Sequence, residues 1–331
     1  MAHKVSFAEI AGVFNDDDKA RELLESLRWR DGVRCPHCEG VRAYKITPKE
    51  GSKTRKGLWK CAECRKQFTV TVGTIFEGTR VPLGKWLMAI HLICSSKKGV
   101  SALQLMRMLW PEDKQAKTPS GQWKKSHYKT AWFMAHRIRY AMTQEPLFGK
   151  LKGVVEADET YIGGKSKNMH AKERAKKISG SGDKSNKAPV VTLVERGGKV
   201  KTHHVEHVSG GNLRRILTEG VLPTAHLMTD EHRGYREIGP RFAGHDAVNH
   251  SRDEYVRGEC HVNTSESVHA LLKRGVFGTH HHWSKKHLHR YLSEFDFRWN
   301  TRKISDDERT AEAITMVGGK RLRYKDPIKN H

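Results

Sequence analysis

The sequence predicts a multidomain α+β protein, and three observations support this prediction. The chain has 331 residues, which suits two or three domains of ordinary size. Four of its six cysteines form two CxxC pairs near the start of the chain. Apolar residues recur at helical spacing between about residues 82 and 142, and the pattern changes to strands mixed with helices from Leu151 onward.

The chain is strongly basic, with 61 Lys and Arg against 37 Asp and Glu and a formal net charge of +24. Such an excess favours a polyanionic partner through phosphate neutralisation, and nucleic acid is favoured over a membrane surface. The longest apolar stretch, Trp86–Cys94, is too short to cross a bilayer. Met1–Asp18 reaches an acidic "NDDD" where a signal peptide would have its apolar core. The sequence therefore predicts a soluble, cytoplasmic protein.

Two CxxC pairs, separated by 22 residues, predict a zinc site. In a cytoplasmic chain such pairs favour zinc over disulfides, and a redox role would need a βαβ context that the flanking sequence lacks. Four thiolates leave no open coordination position, so this zinc is expected to be structural. Short alternating segments around the pairs predict a zinc ribbon over residues 31–80. The predicted ligands are Cys35, Cys38, Cys61 and Cys64.

Residues 1–30 and 81–148 are predicted to be helical. Three helices are expected in the second region, over Pro82–Gly99, Val100–Leu109 and Ser126–Met142. Basic residues on the third helix suit a DNA-binding helix-turn-helix. The segment "WPEDKQAKTPSGQWKK" separates the second helix from the third, so a plain helical linker domain fits the pattern equally well.

Residues 149–303 are predicted to form a mixed sheet with helices packed on it, followed by a tail over residues 304–331. The expected order is a strand in "GVVEADETYIGG", a hairpin about Gly197 and Gly198, a helix in "GGNLRRILTEGV" and a strand in "AHLMTDEHRGY". Two more helices follow, in "HVNTSESVHALLKRG" and "KKHLHRYLSEFDFRWNTRK". The polar, basic stretch Gly164–Lys187 is predicted to be a loop.

Asp158 and Asp230 are each expected to end a strand, where open α/β sheets place their sites. Together with a glutamate, two aspartates could hold two divalent ions, and hard oxygen ligands favour Mg²⁺ or Mn²⁺. Asp230 could equally begin a turn, and Asp158 could cap one. Taken singly, these acids leave catalysis and a structural role open.

Glu266 and Lys273 lie seven residues apart in the predicted helix His261–Gly275, so their side chains leave the same face. Asn263, three residues before Glu266, predicts a variant capping box with Asn263 as the N-cap. Glu266 is therefore either a catalytic carboxylate or an ordinary residue of a helix start.

The spacing of these residues resembles a known family. Thirty-five residues separate Asp230 from Glu266, and six separate Glu266 from Lys273. With Asp158, this pattern resembles the DDE transposase and integrase superfamily, whose catalytic domain has the ribonuclease H-like fold. Over Ala20–Arg302 the chain further resembles the zinc-ribbon insertion-sequence transposases of the ISXO2-like group, most of all in "LRWRDGVRCPHC", "EADETYIGGK" and "HVNTSESVHALLKRGVFGTHHHWSKKHLHRYLSEFDFRWN".

The resemblance implies that Asp158, Asp230 and Glu266 bind catalytic Mg²⁺ or Mn²⁺, and that Lys273 contacts the terminal phosphate of transposon DNA. Asn263 remains the alternative third residue; Glu266 is preferred because a carboxylate binds Mg²⁺ more strongly than an amide. The sequence "SVHA" after Glu266 departs from the bulky aromatic that relatives place there.

The activity implied is that of a transposase, acting as a homo-oligomer, that binds transposon ends and cuts and joins DNA. The alternatives are a zinc-ribbon DNA-binding regulator with an inactive catalytic domain and a nuclease that only hydrolyses. Arg298 and Arg302 are the preferred additional DNA contacts. Trp283 could stack on a base, but a solvated basic surface is the preferred interpretation of its segment, Thr279–His287.

Overall fold

A computed structural model describes residues 4–49, 51, 54–111, 127–143, 149–164, 170, 187–254, 256–324 and 326. The chain divides into two compact units. The first, here called the terminal unit, comprises residues 1–142 and 303–331, and the second, the central unit, comprises residues 143–302. In the parts of the chain that are described, no helix is long and apolar enough to cross a membrane.

The terminal unit contains six helices among its described residues, and polar side chains cap several of their first turns. Ser6 and Glu9 form a capping box on the first helix, and Asp16 accepts a hydrogen bond from the amide of Lys19 on the second. The helices are α1 (Phe7–Gly12), α2 (Asp17–Arg28), α3 (Leu83–Ser95), α4 (Ala102–Leu109), α5 (Tyr128–Ala141) and α10 (Asp306–Thr315).

Three short strands of the terminal unit form an antiparallel sheet in the order β1-β2-β3. They are β1 (Ala43–Ile46), β2 (Leu58–Cys61) and β3 (Gln67–Phe68). Trp29 packs edge-on against Trp59 and Phe68, and together with Cys35 and Cys61 these side chains form a small core. The predicted β module around the cysteine pairs is therefore present.

Helix α10 lies in the segment that the sequence assigns to a C-terminal tail. Ser305 and Glu308 form a capping box at its start, and its buried residues face α3 and α2. Arg309 donates a hydrogen bond to the carbonyl oxygen of Cys94 at the end of α3, and Thr310 lies 3.1 Å from Nδ1 of His91. The chain thus returns to its first unit after completing the second.

The central unit is built on a five-stranded sheet in the order β6-β5-β4-β7-β8. β4 pairs antiparallel with β5 and β5 with β6, whereas β4, β7 and β8 are parallel. The predicted hairpin about Gly197 and Gly198 joins β5 to β6. The strands are β4 (Val154–Ile162), β5 (Ala188–Glu195), β6 (Val200–His204), β7 (His226–Thr229) and β8 (Gly244–Ala247).

Helices cover both faces of this sheet. One face packs against α6 (Gly210–Gly220) and the short α7 (Arg233–Arg236) through a core that includes Val155, Ala157 and Tyr235. The other packs against α8 (Asn263–Gly275) and α9 (Leu288–Asn300) through a core that includes Ile162. Because successive strand residues point to opposite faces, Glu156 and Asp158 lie on the α8 face of β4. The central unit is therefore a mixed α/β domain, as the sequence predicts.

Candidate active site and metal centres

The four cysteines of the two CxxC pairs lie together, and their four Sγ atoms are all within 4.8 Å of one another. The Sγ atoms of Cys35 and Cys64, and those of Cys38 and Cys61, are 3.7 Å apart. Tetrahedral zinc with Zn–S bonds of about 2.3 Å holds its sulfurs at about this separation. The cluster fits the predicted zinc ribbon.

Each cysteine pair lies in a turn whose last residue has a left-handed backbone. The amide of Cys35 donates to the carbonyl of Gly40, and that of Cys61 to the carbonyl of Lys66, so both turns have the same hydrogen bond. Glu39 and Arg65, each directly after a pair, have φ of 61° and 60°. The backbone amide of Cys64 lowers the pKa of Cys61 to about 7, whereas burial and the neighbouring cysteines raise the pKa of Cys38.

A second group of possible metal ligands lies in the central unit, where β4 extends past the end of β7. Asp158, Glu159 and Asp230 each place one carboxylate oxygen within 4.8 Å of the others. Ala157 pairs with Thr229, the last residue of β7, so Asp158 and Asp230 occupy the next level of neighbouring parallel strands. The two predicted aspartates are thus brought together.

The position of Asp158 differs from the prediction. It does not end its strand: β4 continues to Ile162, and Asp158 pairs with Thr192 in the middle of the β4–β5 ladder. The physical reason is that β5 is long enough to pair with β4 for four further residues, whereas β7 stops at Thr229. Asp230 does directly follow its strand, and its carboxylate accepts a hydrogen bond from the amide of His232.

Glu159 is a member of this group that the sequence pattern did not indicate. Its carboxylate accepts a hydrogen bond from the hydroxyl of the fully buried Tyr235. The available signal was the second acid of "ADET", but adjacent strand residues point to opposite faces, and only the tertiary structure shows that both oxygens reach Asp230.

Burial and mutual repulsion make this carboxylate group hard to ionise. Burial, followed by the charge of Asp230, raises the pKa of Asp158 to about 7. Burial likewise raises the pKa of Glu159 to about 8, against the hydrogen bond from Tyr235. A divalent cation would neutralise this charge, and carboxylate oxygens are the ligands that Mg²⁺ and Mn²⁺ prefer. The group therefore fits a divalent metal.

Glu266 and Lys273 project from exposed positions of α8, and both act on Asp158. The charge of Glu266 contributes to raising the pKa of Asp158, and the charge of Lys273 opposes it. Glu266 lies outside the group of oxygens within 4.8 Å formed by the three other acids among the described residues. The structure thus brings all four predicted residues to one region, with Glu266 at its edge.

The predicted capping box at the start of α8 is wrong. Asn263 is already the first helical residue, Val262 occupies the N-cap position, and no side chain of either caps the helix. The backbone amide of Glu266 donates an ordinary helical hydrogen bond to the carbonyl oxygen of Val262. The backbone amides of Thr264 and Ser265 have no partner within the helix and donate instead to a carboxylate from another element, described below. Glu266 therefore does not cap the helix.

His269, within "SVHA", packs against the side chain of Asp158. It is buried, with Nδ1 3.5 Å from the Asp158 carboxylate and Nε2 3.0 Å from the hydroxyl of Thr192. Burial, with the nearby charge of Lys273, lowers the pKa of His269 to about 3. The imidazole is therefore neutral at physiological pH, and its contact with Asp158 is a polar contact rather than an ion pair.

Two of the predicted DNA contacts are instead part of the interior. Arg298 is buried and forms an ion pair of 2.9 Å with the buried Glu294, one turn earlier in α9. Trp283 is buried and stacks on Tyr291 at 4.8 Å. The helix periodicity of α9 places Arg298 on the packed side, whereas Arg302 remains exposed.

The two groups define a protein with a thiolate site in one unit and a carboxylate site in the other. Residues 150–300 match the family model of the ISXO2-like transposase domain, and residues 15–67 match that of the transposase zinc-ribbon domain. These matches together span well over half of the chain. The chain belongs to the family of ISXO2-like transposases with a zinc ribbon.

The chain is also similar to a protein of Halobacterium salinarum described as an uncharacterized protein in transposable element ISH50. The two are 29% identical over 293 residues, which cover 86% of this chain and 91% of that protein. The alignment is therefore long enough to extend over both units rather than one domain alone.

Without Mg²⁺, and with zinc bound at the four-cysteine site, the contribution of Asp158 and Glu159 to stability is expected to fall as pH rises from about 5 to 8. The pKa values of Asp158 and Glu159 are about 7 and 8 in the folded state, against about 4 in the unfolded chain. At these two carboxyls the folded state therefore binds more protons in this window, and their contribution to the free energy of unfolding falls as the protons dissociate. Asp158→Asn should raise the unfolding free energy at pH 8 by about 1–4 kcal/mol, and the gain should shrink toward pH 5.

Thermal unfolding of the two proteins at several pH values measures this difference. Glu219→Gln, a change at an exposed residue of α6, serves as the control and should follow the wild-type curve. A gain in unfolding free energy from Asp158→Asn that is the same at pH 5 and pH 8 would contradict the raised pKa of Asp158.

Proposed function

We propose that this protein is a DDE transposase that binds transposon ends, cleaves DNA next to them and joins the freed 3′ ends to target DNA. The observation that carries the proposal is the group formed by Asp158 and Asp230 on neighbouring parallel strands, with Glu266 and Lys273 acting on it from one helix face. The family matches support a transposase, and this group supplies ligands for the metal that such chemistry needs.

The sheet order β6-β5-β4-β7-β8 supports a ribonuclease H-like fold for the central unit. Its three N-terminal strands form an antiparallel meander, and the next two add in parallel beside β4. The parallel pairing of β4 with β7 brings the ends of these two strands to one edge of the sheet. In this arrangement the first two acids come from the sheet and the third from a helix packed on it.

The roles of the residues follow from their positions. Asp158 and Asp230 would hold divalent metal, with Glu266 as the third ligand and Glu159 as a neighbour able to replace it. Two bound ions would activate the attacking hydroxyl or water and stabilise the leaving oxygen of an in-line displacement. Lys273, which is exposed two turns beyond Glu266, would neutralise a phosphate, and neutral His269 would help to position the Asp158 carboxylate that it contacts.

The terminal unit would recognise the transposon ends. Its zinc ribbon has only a small core and would depend on its metal for folding. The helices α3 and α4 with the turn between them suit a helix-turn-helix. The segment "WPEDKQAKTPSGQWKK" lies largely outside the described residues. Because two ends must be brought together, we expect at least two copies of the chain on DNA.

A strand-transfer assay tests the proposal. Purified protein, DNA carrying the terminal repeats that flank the gene, Mg²⁺ or Mn²⁺ and a target plasmid should give joined products. Cleavage without joining would instead indicate a hydrolytic nuclease, and binding without either would indicate a regulator with an inactive catalytic domain. Omission of the divalent metal should abolish joining while leaving end binding intact.

A further inference from the structure

Glu156 is a fully buried carboxylate that lies two residues before Asp158 on the same face of β4. It is not among the residues whose role the family pattern implies. Among the described residues, its carboxylate makes polar contacts with the segment that begins α8 and with one arginine. These contacts connect the strand of Asp158 to the helix of Glu266.

The carboxylate of Glu156 takes the place of a helix cap. The backbone amides of Thr264 and Ser265 donate to its Oε2 at 2.8 and 3.0 Å, and the Thr264 hydroxyl donates to Oε1 at 2.9 Å. These are free amides of the first turn, where a negative charge is also favoured by the helix dipole. Since neither Val262 nor Asn263 caps α8 with its side chain, Glu156 supplies this function from the sheet.

Arg196, in the β5–β6 turn, completes the arrangement. Its Nε donates to Glu156 Oε1 at 2.7 Å, and its Nη2 donates to the carbonyl oxygen of His261 at 3.0 Å. A buried carboxylate needs such a partner, and removing one member of a hydrogen-bonded buried pair is costly. Glu156 and Arg196 therefore attach two segments to the sheet: His261, just before α8 begins, and the first turn of α8 at Thr264 and Ser265.

We propose that Glu156 is a positioning residue of the active site, which sets the place of Glu266 relative to Asp158. The geometry leaves little freedom: Thr264 and Ser265, bound by Glu156, immediately precede Glu266, and Asp158 follows Glu156 by one pleat of β4. A shift of the first turn of α8 would move Glu266 directly. Displacements of about 1 Å in a catalytic arrangement cost about a hundredfold in rate.

This inference rests on the proposed function, and Asp296 provides a matched control. Its carboxylate also joins a helix of the central unit to the sheet through one threonine, accepting from the amide and hydroxyl of Thr202 at 3.0 and 2.9 Å. That contact connects α9 to β6 and involves none of the proposed metal ligands. Glu156→Gln should therefore alter the metal site, whereas Asp296→Asn should not.

The experiment measures Mn²⁺ binding to the full-length, zinc-loaded protein by electron paramagnetic resonance, together with strand transfer. Glu156→Gln should weaken Mn²⁺ binding by about tenfold, as loss of a residue that orients a metal ligand does, and should lower kcat with little change in KM for end DNA. Thr264→Val, which removes only the hydroxyl donor, should give a smaller loss in the same direction and serves if Glu156→Gln does not fold. Asp296→Asn should match the wild type.

Unchanged Mn²⁺ affinity in both the Glu156 and Thr264 variants, or equal losses in Asp296→Asn, would overturn the positioning role. A wild-type protein that binds Mn²⁺ but neither cuts nor joins DNA would refute the proposed function instead. In that case Mn²⁺ affinity still reports on Glu156 by itself, so the two failures are distinguishable.

Discussion

Asp230→Asn and Glu266→Gln are each expected to lower strand transfer by about a thousandfold or more while leaving folding and end binding nearly intact. Each change removes a negative charge from a proposed metal ligand but keeps the shape of the side chain. A bound metal supplies several kcal/mol of transition-state stabilisation, and about 4 kcal/mol corresponds to a thousandfold in rate. Rates of joining in Mg²⁺, normalised to end binding in a gel-shift assay, measure the effect.

Substitutions at two other residues, Asn263 and Glu159, test which residue is the third ligand. Asn263 lies in the same turn of α8 as Glu266. If Glu266 is the ligand, Asn263→Ala should leave the rate of joining within about threefold of wild type. Glu159→Gln tests the acid that the structure places nearer to Asp158 and Asp230. Joining that survives Glu266→Gln but is lost on Glu159→Gln or Asn263→Ala would transfer the role to that residue.

Cys35→Ser is expected to remove zinc from the terminal unit and to weaken specific end binding by about tenfold or more. The ribbon has three short strands and a small core formed around Cys35 and Cys61, so most of its folding free energy should come from the metal. Elemental analysis should change from one zinc per chain to nearly none, and thermal unfolding should shift to lower temperature.

Cys260→Ser provides the control for thiol loss. Cys260 is buried in the central unit, in a separate apolar cluster with Met228, Val248 and Val262, and is not part of the four-cysteine group. Its replacement should leave the zinc content unchanged. A wild-type protein without zinc, or zinc retained by Cys35→Ser, would contradict the zinc-ribbon assignment.

The local features of this protein are predictable from the sequence because short-range chemistry determines them. The spacing of each CxxC pair closes a turn by itself, so residue order alone indicates the four-cysteine group. Helical periodicity likewise locates α3, α4 and α5: the end of α4 is as predicted, and the other five ends differ by one to four residues from the predicted ones. Helix α10 was not predicted, yet the capping box of Ser305 and Glu308 is a signal that the sequence contains.

The sequence identifies the candidate acids but does not determine where they lie in the strands and helices. The 35-residue gap and the two-turn step to Lys273, together with the family resemblance, indicate which residues belong together, and the structure does bring them to one region. The sequence does not show that Asp158 lies within a strand, because this depends on how far β5 continues beside β4. It also does not show that Arg298 faces inward, because this depends on Glu294 and the packing of α9.

The sequence by itself determined the class of fold, the four cysteines and the candidate acids, because these depend on residue type and spacing along the chain. Only the tertiary structure decided that Glu159 joins Asp158 and Asp230, that His269 lies behind Asp158, and that Glu156 caps α8. These are contacts between residues as many as 111 positions apart, formed when strand pairing and helix packing bring separate elements to one edge of the sheet. The charge that caps the helix of Glu266 therefore comes from the strand that carries Asp158, and not from a neighbour in the helix itself.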